Sequence, residues 1–158
     1  MQKYLDVFND IKAAQAETFK AQHGLIIKTG GALGAAIIKV LKPEWSTDSA
    51  SEILNTNGLF FSVWVDAECE AQGIVRYNLH AKKLRFIKGE QFAARHFVRA
   101  FRLQAQDAMQ GFPNWKYPKG PITLVEGHVS LSDLRGATEK LLQKFASMTP
   151  LIEHLLAE

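Results

Sequence analysis

The 158-residue sequence is poor in cysteine, with Cys69 as its single thiol. One cysteine excludes an intramolecular disulfide and any structural zinc site built on cysteines. Disulfide-stapled secreted domains and zinc fingers are therefore excluded as classes. Cys69 also lies between Glu68 and Glu70, and neighbouring carboxylates disfavour the thiolate form. We expect no nucleophilic cysteine.

Long apolar runs are also missing. The most apolar stretch, residues 25–42, contains three lysines and is too short and too charged to cross a bilayer. The first twenty residues are rich in charged and amide side chains, unlike a signal peptide. The sequence therefore predicts a cytoplasmic protein without a membrane span.

Common catalytic motifs are absent as well. The Gly-Gly-Ala-Leu-Gly run at 30–34 has neither the dinucleotide-binding spacing nor the P-loop lysine. No serine lies in a nucleophile-elbow context, so neither a cofactor nor a metal is expected. The composition, 47% hydrophobic and 22% charged, is typical of a globular chain. We expect one domain over residues 1–158, large enough to form its own core.

The hydrophobic periodicity predicts both strands and helices. Period-two alternation predicts strands at 59–66, 73–80 and 122–131, the first two forming an antiparallel pair across a short link. Gly127 is a candidate β-bulge in the third strand. Helical spacing predicts the following helices: 2–23, 32–42, 90–106, 134–148 and 150–157. The connections are a polar segment at 44–58 with a helical turn at 48–54, a turn at 82–88 and a loop at 107–121.

The resulting element order is α-α-β-β-α-β-α-α. Few strands and segregated helices define an α+β fold, here a small, mostly antiparallel sheet of three or more strands covered by helices. The regular apolar stripe of the 134–148 helix places Leu141 and Phe145 at its centre. We expect both side chains to be almost fully buried.

Positive charge is concentrated in residues 76–106. This segment contains eight lysines and arginines and a single acidic residue, Glu90, whereas the whole chain carries a net charge of +3. Arg95, Arg99 and Arg102 recur at i, i+4 and i+7 of the predicted helix and share one stripe, which we expect to face solvent. Guanidinium groups bind phosphates through paired hydrogen bonds. The candidate polyanion-binding residues are Lys82, Lys83, Arg85, Arg95, Arg99 and Arg102.

The proline-rich loop 107–121 carries a second candidate feature. Trp115 and Tyr117 lie next to Lys116 and Lys119, and aromatic rings interleaved with lysines can stack on bases while the lysines hold phosphates. The alternative is that both rings fold onto the core as a lid. For the basic helix, the alternative is a solvated surface paired with the acidic residues that follow the first predicted strand.

An enzyme is the second interpretation of the sequence. Arg76, Asn78 and His80 alternate on one face of a strand, and Glu126 and His128 alternate on one face of another. If the two faces coincide, His80, Glu126 and His128 are candidate catalytic residues for metal binding or proton transfer. A one-residue shift in register would separate them. The alternative is a solvated sheet face.

The favoured function is a binding module for a phosphate-bearing or polyanionic partner, either nucleic acid or nucleotide-like. This choice rests on the charge asymmetry, which suits salt-sensitive attraction of phosphates. A third interpretation is an interaction module that forms a homo-oligomer through apolar surface of 25–42 or of the C-terminal helices.

Overall fold

The computed structural model describes residues 1–46, 53, 58–84, 88–89, 94–120 and 122–157. It confirms the α+β class, with a five-stranded antiparallel sheet whose strands follow chain order. The strands are β1 (Ile26–Ala32), β2 (Ala35–Leu41), β3 (Gly58–Val65), β4 (Ile74–Lys82) and β5 (Thr123–Ser130). The helices are α1 (Gln2–His23), α2 (Ala67–Gln72), α3 (Ala94–Gln104), α4 (Gln106–Met109), α5 (Leu134–Ser147) and α6 (Thr149–Ala157).

Helix α1 has the predicted boundaries. Phe8, Ile11 and Phe19 are buried, and they form the stripe that packs on β1 and β2. Gly24 ends the helix in the left-handed conformation, with φ of 68°, and its N–H donates to the Lys20 carbonyl. Glycine adopts this conformation without a Cβ penalty, which explains the sharp stop.

The predicted helix at 32–42 is wrong, because this segment belongs to a β-hairpin formed by β1 and β2. Its two-residue turn, Leu33-Gly34, has positive φ at both positions, 53° and 75°, as in the tight turns that suit the strand twist. Strand β2 is buried on both faces, so its sequence is apolar apart from Lys39 and shows no alternation of apolar and polar residues. Within this hairpin, Lys28 and Lys39 are direct cross-strand neighbours.

The three predicted strands are confirmed as β3, β4 and β5, and β3 pairs antiparallel with β4. The short link between β3 and β4 is the six-residue helix α2. Asp66 caps this helix by accepting a hydrogen bond from the Cys69 amide at 2.8 Å. Gly73 closes it in the left-handed region, with φ of 69°.

The core lies between one face of the sheet, here called the core face, and helices α1 and α5. The ring of Phe61 on β3 stacks on Phe145 of α5, with centroids 4.5 Å apart and planes 11° apart. Trp45 meets Phe145 edge to face at 6.5 Å. Leu141 and Phe145 are 1% and 0% exposed, as expected. Helix α5 also packs against α1, so elements from the two ends of the sequence close the same core.

Gly127 is not the predicted bulge. It pairs in register with Tyr77, and the irregularity lies where Leu79 pairs with Val125 but His80 pairs with Thr123. A glycine is present because the buried Tyr77 ring lies over it, so a Cβ at this position would be 2.5 Å from Tyr77 Cζ. The Tyr77 hydroxyl donates to the Pro113 carbonyl at 2.5 Å.

The remaining segments complete the frame around the sheet. Helix α3 packs against α6 and β5, and the predicted loop contains the short helix α4. Several predicted features lie outside the described residues. They are the start of the basic helix at 90–93, most of the turn at 48–54, and residues 85–87 of the turn at 82–88, which include Arg85. In the parts of the chain that the structure describes, no helix is both long and apolar enough to cross a bilayer.

Candidate functional site

Helix α3 presents two different faces. Phe97 and Phe101 are buried against the core, whereas Arg95 and Arg99 are exposed. This division follows from helical periodicity, because residues four apart lie one turn apart on the same side. The expected solvent-facing stripe is therefore present for the first two arginines.

Arg102 does not follow that expectation. It is half-buried, and its Nη2 donates to the carbonyls of Pro118 at 2.8 Å and Thr123 at 3.2 Å, while Nε donates to Leu124 at 3.3 Å. The proline-rich loop and the start of β5 point these three carbonyls at the end of α3, and a guanidinium with five donors satisfies them together. Arg102 therefore ties the helix to the sheet.

The three arginines nevertheless line one cleft of about 630 Å³. Leu103, 75% exposed, and Tyr117 supply apolar surface in its wall. The described residues that line it include no aspartate or glutamate. We call this feature the arginine cleft, and its lining consists of Arg95, Val98, Arg99, Arg102, Leu103, Gln106, Tyr117 and Gly120.

The other predicted basic residues do not join this lining. Lys82 is half-buried and lines a different cleft on the sheet. Lys83 is exposed and has a positive φ of 52°. Arg85 lies outside the described residues. Among the described residues, the arginine cleft is thus formed by one helix and the loop that follows it, rather than by the whole basic segment.

The aromatic side chains of the proline-rich loop are folded against the protein. Trp115 and Tyr117 are half-buried, contact each other edge to face at 4.9 Å and pack on the core. The Tyr117 hydroxyl donates to the Arg102 carbonyl at 3.1 Å, and the Arg102 guanidinium lies 5.4 Å from the Tyr117 ring centroid. The lid interpretation describes this geometry, and Tyr117 also contributes to the cleft wall. Burial raises the pKa of the Tyr117 hydroxyl.

The acidic residues after β3 are used elsewhere. Glu68 forms an ion pair with Arg76 at 3.4 Å, and Glu70 accepts a hydrogen bond from Tyr4 at 2.5 Å. Burial raises the pKa of the Cys69 thiol, in line with the expectation that it is not a nucleophile. Within the described part of the chain, no carboxylate forms an ion pair with the two exposed arginines of α3.

The second face of the sheet, here called the polar face, carries the candidate catalytic residues. Arg76 pairs with His128, Asn78 with Glu126 and His80 with Thr123, so the two predicted sets do share one face. However, His80 lies four residues along β4 from the partner of His128, about 13 Å at the strand rise. The structure therefore does not bring the two imidazoles to one site.

Each histidine has its own surroundings. His80 Nδ1 is 2.8 Å from Thr123 Oγ1, and its ring meets Phe60 edge to face at 5.3 Å. Burial lowers the pKa of His80, with Lys39 and Lys82 acting in the same direction. His128 is exposed. Among the described residues, no group of three histidine, cysteine, aspartate or glutamate side chains could hold a metal ion.

Comparison with known proteins gives no functional assignment. No protein-family model, no curated protein and no solved structure matches the chain.

The sequence did not reveal how deeply the polar face is buried. Lys28, Lys39, Ser62 and Asn78 are among its buried polar residues. Lys39 lies in the segment predicted as a helix, and Lys28 lies just before that segment, where no strand was predicted, so their places on the sheet could not be inferred. The polar positions of Ser62 and Asn78 within two predicted strands were the only available signal.

Proposed function

We propose that the protein binds a phosphate-bearing ligand in the arginine cleft. The observation that carries this proposal is the exposure of two guanidinium groups, Arg95 and Arg99, in a cleft of about 630 Å³. No carboxylate occurs among its described lining residues. Such a site concentrates positive potential where an anion can approach.

The arrangement suits paired recognition of phosphate oxygens. Side chains one helical turn apart have Cβ atoms about 5–6 Å apart, so Arg95 and Arg99 can grip one phosphate together or two phosphates in sequence. The Arg102 guanidinium is held by backbone carbonyls and adds a fixed positive charge to the wall. Fixed donors lose little conformational entropy when a ligand binds.

The shape favours a nucleotide-sized group over a duplex. Ligand clefts typically measure about 300–1,000 Å³, and this one falls in that range. Leu103 and Tyr117 offer apolar surface on which a base or another flat group can rest. The ligand class is therefore a mononucleotide or a short single-stranded segment.

The test is fluorescence anisotropy with a labelled single-stranded oligonucleotide, repeated over a range of salt concentrations and with a mononucleotide as competitor. The variant is Arg95→Ala/Arg99→Ala, because Arg102 has structural contacts and its removal would perturb the fold. For two lost phosphate contacts, the slope of log affinity against log salt should fall by about 1.4 in magnitude. An equivalent duplex should bind more weakly than the single strand.

The matched control is Lys12→Ala/Lys20→Ala on α1. Both lysines are exposed, and this variant removes the same charge as the arginine variant, taking the chain from +3 to +1. It should bind like the wild type if the arginine cleft is the site. Equal losses in both variants would mean that only net charge matters, and no binding by the wild type at low salt would refute the proposal.

A further inference from the structure

The polar face of the sheet carries a row of polar side chains, one from each strand. In register these are Lys28, Lys39, Ser62, Asn78 and Glu126. The first four members are between 5% and 8% exposed. Buried polar groups are stable only when they are hydrogen-bonded or paired. Each member of this row therefore needs a hydrogen-bond or ion-pair partner.

Asn78, the fourth member of the row, has a side-chain acceptor oxygen without a hydrogen-bond partner. Its side chain is 8% exposed, and its Oδ1 is buried without a hydrogen-bond partner. Its neighbours across the strands are Ser62 and Glu126, and Glu126 forms an ion pair with Lys116 at 3.6 Å. An orphaned carboxamide oxygen in a folded protein needs an explanation, and one explanation is a ligand that donates to it.

Asn78 lines a cleft of about 370 Å³ on the polar face, here called the sheet cleft. Phe60, Ser62 and Trp64 alternate along β3 and all line it. Successive residues on one strand face are about 6.6 Å apart, and neighbouring strands are about 4.8 Å apart. The small Ser62 therefore lies at the bottom of a recess between two aromatic side chains, with Lys39 and Asn78 on either side across the sheet.

The described residues that line the cleft include two lysines and one carboxylate. Lys39 Nζ lies 4.4 Å from the Phe60 ring centroid, and Lys82 lines the same cleft. Asp66 is the one carboxylate among the described lining residues, and it already accepts the Cys69 amide hydrogen. Burial lowers the pKa of His80, which favours its neutral form. The half-buried Lys82 therefore offers a positive charge to an anion in this cleft.

We propose that the sheet cleft binds a small, flat organic anion that combines an amide-like edge with a carboxylate, such as a carboxylated heteroaromatic ring. A ring N–H donates to Asn78 Oδ1, the ring fits between Phe60 and Trp64, and the carboxylate faces Lys82. This site is separate from the arginine cleft, which is formed by α3 and the proline-rich loop.

In the experiment, the full chain is titrated with three probes. Binding is measured by the chemical-shift changes in NMR spectra of the protein. Orotate has both the amide-like edge and the carboxylate, uracil has the edge alone, and benzoate has the carboxylate alone. Orotate should bind at least about tenfold more tightly than either of the others, because it makes both contacts. No shift with any probe at about 10 mM would overturn the proposal, since that excludes even weak specific binding.

Two variants separate the contacts. Asn78→Leu should weaken orotate and uracil about tenfold but leave benzoate unchanged, since a missing hydrogen-bond partner penalises only ligands that use it. Lys82→Gln removes the positive charge of a half-buried side chain. This variant should bind orotate and benzoate more weakly and should bind uracil like the wild type. This second variant keeps the test decisive if Asn78→Leu does not fold.

The Arg95→Ala/Arg99→Ala variant is the control for location. It should bind orotate like the wild type, because neither arginine lines the sheet cleft. If orotate binding is lost in that variant and retained in Lys82→Gln, the probe binds in the arginine cleft and the proposal for the sheet cleft is wrong. Failure of the oligonucleotide experiment would leave this result unaffected.

Discussion

Replacing Gly127 with alanine tests the packing of β4 against β5. An added Cβ would lie 2.5 Å from Tyr77 Cζ and 2.9 Å from Cε1, distances that real side chains do not tolerate. Tyr77 cannot yield easily, because it is fully buried and packs near Phe61 and Phe112 with ring centroids 6.0 and 5.9 Å away. The substitution therefore forces the Tyr77 ring to move or the two strands to separate.

The expected loss of stability combines three contributions. Overpacking a core costs about 1–3 kcal/mol, and a displaced Tyr77 weakens its hydrogen bond to the Pro113 carbonyl, worth about 1 kcal/mol net. Alanine is favoured over glycine within a strand by about 0.5–1 kcal/mol, which offsets part of the loss. Gly127→Ala should therefore destabilise the fold by about 1–3.5 kcal/mol.

Urea denaturation followed by far-ultraviolet circular dichroism measures this loss. With a slope of about 2 kcal/mol/M, the midpoint should fall by about 0.5–2 M. Gly31→Ala is the matched control, since a Cβ there would meet Leu5 and Ala35 only at ordinary contact distances, 3.8 and 3.7 Å. Its midpoint should stay at or slightly above that of the wild type, because alanine is favoured over glycine within a strand.

A double-mutant cycle identifies the cause. Tyr77→Leu removes the ring atoms that the new Cβ would meet, so Gly127→Ala should cost at least about 1 kcal/mol less in that background. If Gly127→Ala shifts the midpoint no more than Gly31→Ala does, or if the cost is the same in both backgrounds, the packing argument fails.

Three further predictions concern other parts of the fold. Phe145→Ala should cost about 3–5 kcal/mol in denaturant unfolding, because it empties the stacked position against Phe61; an unchanged midpoint would contradict its burial. Asp133→Ala should cost about 1 kcal/mol, since Asp133 caps α5 by accepting from the Gly136 amide at 3.2 Å; a loss no greater than that of an exposed alanine substitution would argue against the cap. Burial lowers the pKa of His80 in the folded state, so stability should decrease as pH falls below the unfolded value of about 6.5. His80→Gln should reduce this decrease between pH 7.5 and 5.5, and an identical pH profile in the two proteins would rule out His80 as its source.

The elements with one exposed side were predictable from the sequence. In α1 and α5 the apolar residues recur at helical spacing because each helix buries one face and solvates the other. The β1–β2 hairpin was not predictable in this way, since β2 is buried on both faces and its sequence carries no period. Leu33 at positive φ also concealed the turn, because leucine rarely adopts that conformation.

The candidate sites were predictable only in part. Helical spacing placed Arg95 and Arg99 together on the solvent side of α3, because that inference needs only local geometry. The role of Arg102 depends on carbonyls contributed by residues 118–124, and no local pattern encodes such contacts. Likewise, alternation placed His80 and His128 on shared faces, but their separation depends on the strand register, which the sequence of a single strand does not contain.

The sheet pairs only strands that are neighbours in the chain, and this order has a consequence for synthesis. Each hairpin from β1 to β4 can form soon after its second strand leaves the ribosome, because few residues separate the pairing partners. The apolar core face formed by these strands is completed by α5, whose Phe145 is 84 residues later than its stacking partner Phe61. Nascent chains that end before α5 therefore expose an unprotected apolar surface, and pauses in translation within this interval should favour aggregation or chaperone binding.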